Sequence, residues 1–72
     1  MTIIAVINDS TGELYAVAEG YENRFHKRAE LSVGYIKVTR QYGEFGENII
    51  AEIFWNGFKH YVDSTKYSFI YE

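Results

Sequence analysis

The 72-residue chain contains no cysteine and no proline, and it has one methionine and one tryptophan. Without cysteine there is no disulfide frame, no thiolate nucleophile, no iron–sulfur cluster and no cysteine-type zinc site. Without proline, no strand edge is guarded by a missing donor. Long apolar runs are lacking too, since no stretch approaches the roughly 18 residues that span a bilayer. Met1–Ile7 is apolar but short for a secretory core, with neither a basic leader nor a cleavage site. A cytoplasmic protein with no membrane partner is expected. Asn8-Asp9-Ser10 fits a glycosylation acceptor, but in that compartment it reads as a turn.

Aromatic residues are plentiful, with seven tyrosines and five phenylalanines. A chain this short buries only about 60% of the surface exposed by its unfolded form. Large rings, each burying roughly 150–250 Å², and self-association are the remaining ways to widen the margin. A hydrophobic fraction of 47% is enough for a packed core, and a single domain over residues 1–72 is expected.

Charge is distributed in blocks. Asp9, Glu13, Glu19 and Glu22 stand without a base in residues 1–23, whereas Arg24, Lys27, Arg28, Lys37 and Arg40 face only Glu30 in residues 24–41. The remainder is acidic again. Opposite blocks of this kind pair across neighbouring strands or leave one basic and one acidic face, and the pairing is the preferred reading.

Turn chemistry divides the chain at short intervals. Thr2–Ile7 is β-branched and apolar and ends in Asn8-Asp9-Ser10-Thr11-Gly12; Glu13–Glu19 follows as a second strand. A four-residue loop would oppose Ile7 with Leu14, Ala5 with Ala16 and Ile3 with Ala18, leaving both faces apolar and covered. Asn56-Gly57 between apolar runs is the strongest hairpin signal, because a type I′ turn needs positive φ at both positions. It opposes Trp55 with Phe58, Ile53 with His60 and Ala51 with Val62. The face with Ile49, Ala51, Ile53, Trp55, Phe58, His60 and Val62 reads as core. The face with Ile50, Glu52, Phe54, Lys59, Tyr61 and Asp63 reads as solvent or partner. Tyr67–Tyr71 is a final strand.

The middle is ambiguous. Polar and apolar residues alternate from Arg24 to Val33, which argues strand, while Tyr21, Phe25 and Ala29 recur at helical spacing. Past Gly34 the apolar parity switches to Ile36 and Val38, as at a bend. One long bent strand is preferred. The expected fold is all-β, a small antiparallel sheet of five or six strands, curled or barrel-like; the alternative is α+β with one helix near 22–32.

No catalytic constellation is apparent. No serine occupies a nucleophile elbow, and His60 and Asp63 point to opposite faces of one strand. His26 and His60 are the only histidines, and Gly43-Glu44-Phe45-Gly46 is too acidic to cradle phosphate. No enzyme activity, metal or cofactor is expected.

Two kinds of binding remain. Arg24, Lys27, Arg28, Lys37 and Arg40 interleave with aromatics as a nucleic-acid surface does, and Arg24, His26 and Arg28 would form a basic row on one strand. The acidic whole, with a pI near 5.3, counts against it. For protein binding, Tyr42 and Phe45 bracket a glycine loop within an acidic rim of Glu44 and Glu47, and Phe54 and Tyr61 add rings on the mixed face. In general character, tiny and without cysteine or a catalytic constellation, the chain is similar to the small proteins that phages and mobile elements use to modulate a host protein. That likeness of type implies a non-enzymatic inhibitor or regulator of a larger protein or nucleoprotein. A nucleic-acid-binding β-barrel is the second reading, and a self-assembling subunit, homodimer included, is the third.

Overall fold

The computed structural model describes residues 2–72, which form seven strands in two sheets. Strands β1 (Ile3–Asn8), β2 (Glu13–Ala18), β3 (Leu31–Val33) and β7 (Tyr67–Tyr71) make one sheet in the order β3-β2-β1-β7. Strands β4 (Tyr35–Tyr42), β5 (Asn48–Trp55) and β6 (Phe58–Asp63) make the other, with β5 central. The protein is all-β, as its composition and turns suggest. It has seven strands rather than five or six, and its two sheets do not close into a barrel.

The first turn forms because Asn8 organises it. Its side-chain oxygen accepts from Ser10 N at 3.0 Å, its carbonyl accepts from Gly12 N at 2.7 Å, and Gly12 supplies the positive φ that returns the chain. The resulting loop opposes Ile7 with Leu14 as expected. A bulge then shifts the pairing, so that Ala5 opposes Val17 and Val6 opposes Ala16. Both sides of this hairpin are buried. Ile3, Val6, Ala16 and Ala18 join the core between the sheets, and Ile4, Leu14 and Val17 are buried outside that cluster.

Residues 19–30 connect β2 to β3, which pair in parallel, and here the long-strand expectation fails. Parallel neighbours require a crossover of about a dozen residues, often helical. This one must turn at both ends, and Arg24 and Arg28, one helical turn apart, would repel each other on a helix. The segment therefore has one 3-10 turn, Glu22–Arg24, and is otherwise irregular up to Leu31. Its alternating apolar residues still face inward: Phe25 and Ala29 are half-buried, and Phe25 walls a cavity of about 250 Å³ with Ile7, Leu14 and Ile70.

Gly34 is where the chain leaves the first sheet for the second. Its N–H donates to Phe54 O at 2.8 Å, and a side chain there would meet the Phe54 ring at 3.1 Å. The parity switch in the sequence marks this bend. Asn56 (φ 52°) and Gly57 (φ 86°) form the left-handed hairpin turn, and the register Trp55–Phe58, Ile53–His60 and Ala51–Val62 is the expected one.

Ala51, Ile53 and Val62 enter the shared core together with Val33 and Ile36. Phe58 does not: it is 51% exposed at the hairpin end, where its ring lies beside those of Trp55 and His60. No helix among the described residues is long and apolar enough to cross a membrane.

Candidate functional site

Pairing of β4, β5 and β6 turns every second residue away from the core, and register decides which side chains meet there. Lys37 opposes Glu52, and Glu52 opposes Tyr61, so an acid lies in the middle row of the outer face. Glu52 is only 6% exposed. Its carboxylate accepts from Tyr35 Oη at 2.7 Å and Tyr61 Oη at 3.4 Å, with Lys37 Nζ at 3.6 Å and Lys59 Nζ at 3.9 Å. The Tyr35 hydrogen bond is the main cause that holds this carboxyl below the ordinary glutamate value; the two lysines assist, and burial opposes them. The same bond pushes Tyr35 up to about 12. Tyr35 also stacks on Phe54, with ring centroids 5.3 Å apart and planes within 8°. Sequence alone assigns Glu52 to a face open to solvent or a partner and does not single out Tyr35. Once the strands are paired, the Lys37–Glu52–Tyr61 row singles out Glu52, and the adjoining Tyr35–Phe54–Lys59 row brings Tyr35 beside it.

Towards the other end of this face, Tyr42 reaches across β5 and donates to Asp63 Oδ2 at 2.8 Å. Asp63 also accepts from Thr65 N at 2.9 Å, and that bond, followed by the one from Tyr42, lowers its pKa. Tyr42 is raised in turn, chiefly by its hydrogen bond to Asp63. Tyr61, 57% exposed, borders a shallow depression with Thr39, Arg40 and Ile50.

Beyond Tyr42 the β4–β5 turn carries Phe45, which is 87% exposed. The turn is built to hold it. Gly43 (φ 96°) and Gly46 (φ 68°) occupy the left-handed region, and Glu47 Oε2 accepts from Phe45 N at 2.7 Å. Glu47 packs so close to Gly43 that a side chain at 43 would lie 2.7 Å from its carboxyl. Hydrogen bonds from its own amide and that of Phe45 keep Glu47 below its ordinary pKa. Glu47 thus shapes the loop as well as adding to its acidic rim, whereas Glu44 is exposed.

The structure therefore gathers Tyr42, Phe54 and Tyr61 on one three-stranded face and sets Glu44, Phe45 and Glu47 at the end of that sheet. Phe54 lies at the far end of β5, about 20 Å from Asn48 at roughly 3.3 Å per residue. The surface is long and narrow.

The basic residues do not form one row. Arg24 belongs to the 3-10 turn, where it meets Glu72 at 3.2 Å and lies 4.8 Å from the Tyr21 ring centroid. Lys27 and Arg28 stand in the irregular crossover; Lys37 and Arg40 are on β4 in the other sheet. The ion pairs Arg24–Glu72 and Lys37–Glu52 each join the basic block to the acidic one that follows it, as the block pattern suggested. His60 lies 3.4 Å from the Tyr15 hydroxyl and edge-on to Trp55, apart from Asp63.

Comparison with protein-family models, with curated proteins and with solved structures finds no significant match to this chain.

Proposed function

We propose that this protein is a non-enzymatic binding module that modulates or inhibits a larger protein or nucleoprotein partner. Its contact surface would be the outer face of β4, β5 and β6 together with the Phe45 turn. The observation that carries the reading is Phe45, a large apolar ring at 87% exposure on a loop fixed by two left-handed glycines and a carboxylate cap. Holding a ring in water this way does nothing for the core, and preorganised aromatic anchors are what interface hot spots consist of. Glu44 and Glu47 give the anchor an acidic rim, which suits a basic groove on the partner. Tyr42 and Tyr61 extend the contact at low entropic cost, their rings already held by Asp63 and Glu52.

The nucleic-acid reading has less support, because Arg24 and Lys37 are engaged by carboxylates and the five cations are divided between the β2–β3 crossover and strand β4. One experiment separates the readings. Tagged wild-type protein and F45A are used to capture partners from native-host extract, with and without nuclease. A stoichiometric protein retained by wild type, resistant to nuclease and lost with folded F45A is the expected result. Capture that nuclease abolishes and F45A leaves intact would overturn the reading in favour of nucleic acid.

A further inference from the structure

The two sheets present four edge strands, and three of them are protected. β4 carries Lys37 and Arg40 and is bulged at Thr39, and β6 carries Lys59 and Asp63. β3 is only three residues long, with Ser32 Oγ donating to Glu22 at 3.4 Å. β7, Tyr-Ser-Phe-Ile-Tyr, has no charged side chain. Aromatic and β-branched composition without charge or proline is what natural proteins avoid on an open edge unless the edge is used.

The backbone of β7 is placed for such use. Glu72 N donates to Thr2 O at 2.9 Å, and Lys66 O accepts from Asp9 N at 3.2 Å, so the even-numbered positions bond towards β1. Antiparallel alternation then turns the N–H and C=O groups of Tyr67, Phe69 and Tyr71 to the open side.

We infer that β7 pairs antiparallel with β7 of a second copy of this chain, about a two-fold axis at Phe69. In that register Phe69 opposes its own counterpart and Tyr67 opposes Tyr71, each pair exchanging both backbone bonds. The same register sets Lys66 opposite Glu72 at both ends of the contact. Displacement by two residues either way loses backbone pairs and separates those charges. The contact is self-complementary, as an isologous interface requires. Glu72 accepts from Tyr21 Oη at 2.9 Å and meets Arg24, yet its side chain is 43% exposed, and a carboxylate has lone pairs for a further donor. The two four-stranded sheets become one of eight strands. The Phe45 turn and the outer face of β5 belong to the other sheet and take no part, so the dimer would present two binding faces.

The test is light scattering coupled to size exclusion from low micromolar to millimolar concentration, with amide exchange at both ends of the range. Wild type should pass from monomer to dimer, and the amides of Tyr67, Phe69 and Tyr71 should become slow to exchange only in the dimer. K66E, which sets like charges at both ends, should weaken dimerisation about tenfold. Y71P removes an outward donor and should leave a folded monomer. A wild-type monomer throughout the range would overturn the inference, as would a dimer indifferent to K66E.

Discussion

Glu52 accepts hydrogen bonds from two tyrosine hydroxyls, and its pH behaviour follows chiefly from the Tyr35 bond. Its folded pKa lies below the ordinary value, so its contribution is present above the unfolded pKa and is lost as pH falls through the folded one. E52Q should therefore flatten the acid limb of stability against pH, read from urea midpoints between neutral and strongly acidic conditions. Tyr35 has the opposite sign. Its pKa is raised from 10.0 to about 12, so its contribution is present below the unfolded value and lost as pH rises through that window. Y35F should lessen the alkaline loss without abolishing it, because Tyr15, Tyr21 and Tyr42 are shifted the same way. Phe45 behaves differently: F45A removes a ring that the fold does not bury, so its stability should stay within about 0.5 kcal/mol of wild type. Thermal or urea unfolding of the pair checks that.

Elements were legible where local chemistry decides them. Asn56-Gly57 specifies its hairpin because few residue pairs accept two left-handed positions, and the observed register followed from that turn alone. N56G should be tolerated, whereas N56A should cost about 1 kcal/mol by urea denaturation. Gly43 makes a stronger claim, since alanine there meets both a φ of 96° and the Glu47 carboxyl. G43A should loosen the tip, seen as faster exchange of the Phe45 amide, and weaken partner capture alongside F45A. The crossover at 19–30 was not legible in the same way. Its alternating pattern is genuine, because Phe25 and Ala29 do face inward, but an inward-facing stripe is common to a strand and to an irregular cover. What separates them is the parallel pairing of Leu31 with Ala16, a contact no local pattern announces.

At the scale of the whole molecule, the core is shared by both sheets and centres on Ile53, which is fully buried. I53A should cost about 2–5 kcal/mol, a large part of the margin of so small a fold, and a urea midpoint would show it. Apolar residues of the core could be read from alternation, but the division into two sheets could not. It depends on the bend at Gly34 and on β7 returning to β1, both of which are long-range events. The candidate face was half visible for the same reason. Tyr42, Phe45 and Tyr61 stand out as rings near turns or on a mixed strand, while Glu52 and Tyr35 acquire their role only when three strands are laid side by side. The central claim is that partners meet this three-stranded face and its Phe45 tip. The most direct measurement is an amide-resolved NMR titration of the protein with its captured partner. Shifts should concentrate at residues 42–47, 54 and 61. Shifts concentrated at Arg24–Arg28, with that face silent, would contradict it.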